Sequence, residues 1–161
     1  MKVLLQPSVI VTVVVLIILA GIYIKKNIAV KKELNRLRDN HSKLVLYYSI
    51  LDRWLKMRQL GRTVAEYFYE QNIKAIAIYG YKELGQRLYS ELLDSDITVR
   101  YIIDKNADNI QADIDVYGND EELPEVDAIV ITATYYYDEI EDELSDHVKY
   151  PILNLEDVIM L

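Results

Sequence analysis

Gly80, Lys82 and Gly85 are the residues whose spacing speaks most directly of chemistry. They sit in Ile73-Lys74-Ala75-Ile76-Ala77-Ile78-Tyr79-Gly80-Tyr81-Lys82-Glu83-Leu84-Gly85-Gln86-Arg87-Leu88, where an apolar, β-branched run stops at a glycine and a helical pattern begins. A turn of this shape aims backbone N–H groups at the start of a helix toward a phosphate. The full fingerprint is G-x-G-x-x-G: the first glycine makes the turn, the second admits the pyrophosphate, and the third lets helix pack on strand. Gly80 and Gly85 fill the first and third positions, and Lys82 replaces the second. Its Cβ obstructs a diphosphate, whereas its ammonium supplies charge to one. Both outcomes stay open at this position.

Two further groups fall where a nucleotide would need them. Asp104, followed by Lys105, closes an apolar run 24 residues after Gly80. An acid there holds ribose hydroxyls, or it caps its own turn. The run Thr132-Ala133-Thr134-Tyr135-Tyr136-Tyr137 ends another apolar stretch; its aromatics could stack on a base or simply cover the sheet edge. Tyr101 and Lys105 copy the Tyr-x-x-x-Lys spacing of short-chain dehydrogenases and epimerases. That chemistry requires one helical turn between them, and here they straddle a strand end, so the pair is rejected as catalytic. Asp138, Glu139, Glu141, Asp142 and Glu143 crowd one helix, where acids near the N-terminus suit the dipole better than they suit a metal. The chain has no cysteine and only His41 and His147, which excludes disulfides and thiolate metal sites.

The elements that position these residues alternate between strand and helix. Strands are expected at Ile73–Tyr79, Ile97–Ile103, Ile114–Val116, Ala128–Ala133 and Pro151–Leu153. Helices are expected at Glu83–Leu93, Tyr136–Ser145 and Leu155–Leu161, with a turn around Asn119–Leu123. Such alternation predicts a parallel α/β sheet, a small Rossmann-like domain of strand order 3-2-1-4-5 over residues 62–161. Its switch point lies between the first and fourth strands. The candidate binding residues therefore run Gly80, Tyr81, Lys82, Glu83, Leu84 and Gly85 in the turn, Asp104 and Lys105 after the second strand, and Thr132, Ala133, Thr134 and Tyr135 after the fourth.

Four segments carry a family resemblance: Ile76–Glu91, Tyr101–Ala107, Glu125–Ala133 and Pro151–Ile159. Together they resemble the small NAD(P)-binding-like Rossmann modules of bacterial cell-surface polysaccharide proteins. Those modules occur at the N-termini of sugar acyltransferases and membrane nucleotide-sugar dehydratases, and as tails of some glycosyltransferases and methyltransferases. The resemblance covers roughly residues 50–161. It implies a phosphate turn on Gly80, Lys82 and Gly85, a ribose-contacting acid at Asp104, and a contact loop from Thr132 to Tyr135. Lys82 departs from the glycine common in those relatives.

The N-terminal part of the chain has a different character. Residues 1–65 hold 12 Lys/Arg against 3 Asp/Glu, and residues 66–161 hold 6 against 23. An acidic globular half repels polyanions and excludes nucleic acid as its partner. Val9–Ile24 is almost wholly apolar, and Val3-Leu4-Leu5 extends it toward the roughly 20 residues that cross a bilayer core. A cleaved signal peptide fits less well, because Ile18-Leu19-Ala20 puts a bulky residue where a small one is needed. Residues 1–26 are therefore read as an anchor. The bases Lys25, Lys26, Lys31, Lys32, Arg36 and Arg38 then place the remainder in the cytoplasm, as a single-pass membrane protein.

Between anchor and domain, residues 27–61 read as a helical stalk. Val30, Leu34, Leu37, His41, Leu44, Tyr48, Leu51 and Leu55 repeat at alternating spacings of four and three, a heptad seam interrupted by His41. Either this seam pairs two copies, or the later part (Tyr47, Trp54, Leu55, Leu60) packs on the domain. Gly61 ends the helix, and Thr63 is the expected N-cap of a shorter one over Val64–Glu70.

No acid–base pair is recognisable, and no substrate domain is expected beside the Rossmann-like one. The expected function is thus a non-catalytic, membrane-anchored module that binds a nucleotide-sugar or NAD(P) beside polysaccharide-assembly proteins. The alternatives are a ligand-free docking domain and, more remotely, a small oxidoreductase or epimerase subunit.

Overall fold

The computed structural model describes the backbone of residues 7–159 and side chains from residue 10 onward. The outermost pieces of the expected anchor (Val3-Leu4-Leu5) and of the last expected helix (Met160, Leu161) lie outside the described residues. Two compact units divide the chain between Val45 and Leu46. Helix α1, Pro7–Gln59, supplies all of the first described unit and the opening of the second. Its apolar start is long and apolar enough to cross a membrane by length and composition, and the side chains from Ile10 to Ile24 are exposed. Further along the first unit, Val30, Leu34, Leu37 and Leu44 are also exposed.

The second unit opens with the last turns of α1, which the sequence reading gives to the stalk. It continues through α2 (Val64–Glu70), β1 (Ala75–Tyr79), α3 (Glu83–Leu92), β2 (Thr98–Ile103) and β3 (Val116–Tyr117). β4 (Ala128–Ile131), α4 (Tyr137–Ser145), β5 (Ile152–Asn154) and α5 (Leu155–Val158) complete it. The five strands form one sheet in the order β3-β2-β1-β4-β5, and every pair is parallel. The expected α/β fold and strand order are those observed.

Alternation along β1 and β4 sends side chains to two cores. Ile76, Ile78, Ala128 and Val130 join Ile50, Trp54, Met57, Phe68, Leu84, Leu88 and Leu155 on one face. Ala77, Tyr79, Tyr101, Ile103, Ile129 and Ile131 meet Ile140 and Leu144 of α4 on the other. Burying each large apolar side chain contributes about 1.5–3 kcal/mol, so the Ile50–Trp54–Met57 stripe holds the tail of α1 firmly to the sheet. Leu55 and Leu60, grouped with Trp54 by the sequence reading, are instead exposed. They face away because the i, i+4, i+7 stripe through Ile50 occupies the inner side of the helix.

Element ends moved slightly. β3 pairs Val116 and Tyr117 with Ile102 and Ile103, whereas the sequence points to Ile114–Val116. The two-residue ladder forms where the end of β2 offers partners. β4 stops at Ile131, and a short 3₁₀ turn, Thr134–Tyr136, precedes α4. α2 starts after Thr63 as expected, with the Glu66 carboxylate accepting the Thr63 N–H at 3.3 Å.

Candidate functional site

The turn between β1 and α3 lies at the switch point, since β1 is flanked by β2 and β4. Gly80 has φ +88°, a left-handed conformation that glycine adopts at little cost. Its N–H donates to the Ile103 carbonyl at 2.8 Å, which fastens the turn to the end of β2. A Cβ at Gly85 would overlap the Gly80 carbonyl oxygen. The third glycine is therefore required by helix-on-strand packing alone.

Thr132, at the end of β4, closes the same turn from the other side. Its backbone N–H donates to the Tyr79 carbonyl at 2.9 Å. Its buried hydroxyl lies 2.7 Å from the Gly80 carbonyl and 3.0 Å from that of Tyr79. Thr132 thus serves as a clasp between the two loops of the switch point. Thr134 is buried, Ala133 is half-buried, and Tyr135 is exposed, its ring edge-on to Tyr136 at 5.2 Å.

Asp104 is half-buried. One carboxylate oxygen accepts the Tyr81 N–H at 3.0 Å, and the other accepts the Asn106 N–H at 2.9 Å. Asp104 is therefore brought against the Gly80–Gly85 turn by one oxygen and caps its own turn with the other, the second of the two roles expected for it. Each oxygen keeps a second lone pair for a hydroxyl. Lys105 turns elsewhere: its ammonium pairs with Glu143 at 3.0 Å, and the hydrogen bond between them raises its pKa. Asn119 joins this group, donating to Glu143 and to the Tyr79 hydroxyl, both at 2.9 Å. Tyr101 is buried and donates to the Pro124 carbonyl at 2.7 Å, with burial pushing its phenol up to about 12. Tyr101 and Lys105 thus face separate partners.

At the start of α3, Lys82 is the exposed N-cap residue and Leu84 is buried beneath it. Glu83 turns its carboxylate onto its own N–H and accepts the Tyr47 hydroxyl at 3.0 Å; these bonds lower its pKa. Tyr47 is pushed up to about 12, first by burial and then by Glu83. The helix start therefore already carries one acidic group of its own.

A second carboxylate escaped the sequence reading. Glu91, on α3, accepts the Trp54 indole N–H at 2.6 Å and the Val64 N–H at 3.1 Å, with Arg58 at 3.4 Å. It lines a groove of about 790 Å³ between the tail of α1, α2 and α3, with Leu51, Leu55 and Arg87. The only signal in the sequence was its place beside the buried stripe Leu84–Leu88–Leu92.

No family model, curated protein or solved structure matches the chain.

Proposed function

We propose that the chain is a non-catalytic, membrane-anchored Rossmann-like module at the cytoplasmic face of a bacterial membrane. It binds a nucleotide-sugar or dinucleotide at the switch point and works beside cell-surface polysaccharide assembly. The observation that carries this reading is the junction of Gly80, Tyr81 and Asp104. A left-handed glycine leads into a helix, and the acid of the second strand is tied to the next amide at 3.0 Å. A carboxylate with further lone pairs thus lies beside the turn that leads into α3, whose N-cap is the exposed Lys82. A nucleoside diphosphate carries the complementary groups: ribose hydroxyls for Asp104 and an anion for Lys82. Anchoring rests on the apolar start of α1, and the cytoplasmic direction on the lysines and arginines that follow it.

The test is thermal unfolding of the full chain in detergent against nucleotide-sugars, NAD(H), NADP(H) and plain nucleotides. A ligand at a hundredfold excess over its Kd stabilises the native state by about 2.7 kcal/mol, several degrees for a domain of this size. Failure of every nucleotide to shift the transition removes the ligand part of the proposal.

A second reading, a ligand-free docking domain, is favoured by one observation. Asp104 already occupies the Tyr81 N–H, and Glu83 stands in the first turn of α3, so an incoming phosphate finds a donor taken and two negative charges beside it.

A further inference from the structure

Helix α1 uses two different stripes. In the α/β unit, Ile50, Trp54 and Met57 turn inward and are buried, while Tyr48, Leu51 and Leu55 stay outside. In the first unit, Val30, Leu34, Leu37 and Leu44 are each more than half exposed. These uncovered residues are those of the four-three repeat, so the stripe that seats the helix on the sheet leaves the heptad seam bare. The first of them, Val30, lies between Lys25-Lys26 and Lys31-Lys32, and that basic flank keeps the seam out of hydrocarbon.

We propose that this seam, residues 30–44, pairs with the same seam of a second copy as a parallel, in-register coiled coil. Three features point to a copy of this chain over any other occupant. With Leu34 at position a and Leu37 at d, Glu33 falls at g and Arg38 at e. In a parallel pair, g of one helix meets the following e of its partner, so Glu33 faces Arg38 twice by symmetry. Within one chain Glu33 pairs with Arg36 at 2.7 Å on the exposed surface, a contact weak enough to be shared. Next, the repeat places His41 at an a position and, carried one step before Val30, Asn27 at another, both exposed. In register they meet their own copies, and polar residues there select register and pairing state. Finally, one anchor direction for all copies leaves parallel pairing as the geometry in which the whole seam aligns; this clause rests on the membrane reading above.

The absence of cysteine from the sequence makes the test clean. Single substitutions Leu34→Cys, Leu37→Cys and Leu44→Cys on the seam, and Asn35→Cys and Ser42→Cys off it, are made in the full chain in vesicles of phosphatidylethanolamine and phosphatidylglycerol. Circular dichroism checks that each variant keeps its helix. On mild oxidation the three seam positions are expected to give disulfide-linked dimer as the main product, and the two outer positions little. Equal yields on and off the seam, or none anywhere, overturn the proposal. Cross-linking at a single seam position alone overturns the parallel register. Glu33→Arg and Arg38→Glu, carried on separately tagged copies with Leu37→Cys, sharpen it further. Their mixture is expected to form heterodimer beyond the half that random mixing gives, and random proportions contradict the Glu33–Arg38 contact. Alkaline extraction of the same membranes tests the anchor separately, so failure of either idea is distinguishable from failure of the other.

Discussion

Helix α3 meets a carboxylate at each end, and the two behave differently. In its last turn, Glu91, with a side chain 16% exposed, gathers the Trp54 indole, the Val64 N–H and Arg58. Beside its start, Asp104 is half-buried and holds the Tyr81 and Asn106 N–H groups at the rim of the switch point. Both accept a backbone donor from another element, so hydrogen bonding alone does not tell them apart. Burial does. Glu91 braces α1 and α2 against α3, whereas Asp104 ties the turn after β1 to the segment after β2.

The sharpest way to break this contrast is at the turn itself. Gly85→Ala pushes a methyl group into the Gly80 carbonyl, and we expect a loss of about 3 kcal/mol or more in denaturant unfolding. A tolerated alanine would mean that α3 does not pack on the turn as described. Next in size is Glu91→Ala, which strands the Trp54 and Val64 donors and removes the partner of the exposed Arg58. A loss of about 2–4 kcal/mol follows. Trp54 is the sole tryptophan, so its emission should move to longer wavelength. An unchanged spectrum and midpoint would remove Glu91 from the brace.

Asp104→Asn should be milder, because the amide oxygen keeps one of the two bonds: about 1 kcal/mol in stability. Its larger effect should be on ligand, with the nucleotide-induced thermal shift reduced. A stability loss equal to that of Glu91→Ala would erase the distinction between the two carboxylates. The smallest effect belongs to Asp127, whose carboxylate accepts the Lys74 and Ala75 N–H groups, both at 2.8 Å. Those bonds lower its pKa below 3.8. A depressed native pKa gives stability that is present above the unfolded value and lost as pH falls through the native one. Acid titration of Asp127→Asn should therefore show a slightly flatter loss below about pH 4. An unaltered acid limb would mean that the two amide bonds do not persist in solution.

The contrast also explains what could be read in the residues themselves. β1, β2, β4 and α3 were legible because β-branched runs and glycines mark them, and the strand order followed from alternation. β3 was displaced, since two residues of pairing depend on where β2 offers an edge and not on local pattern. The turn glycines were legible for packing, and Gly85 is explained without any ligand. The turn cap by Asp104 onto Asn106, two residues on, was also legible; its bond to Tyr81, the clasp by Thr132 and the brace by Glu91 were not, because each joins residues 23 to 53 positions apart. The heptad seam and the buried stripe lie on one helix, and only the packing of Ile50, Trp54 and Met57 separates them.

The most direct measurement is calorimetric titration of the full chain and its Lys82→Gly variant with the nucleotide that gives the largest thermal shift. We expect the native chain to bind, and Asp104→Asn to weaken that binding. Binding by Lys82→Gly alone, with none by the native chain, would contradict the account and leave the switch point as a relic within a docking domain.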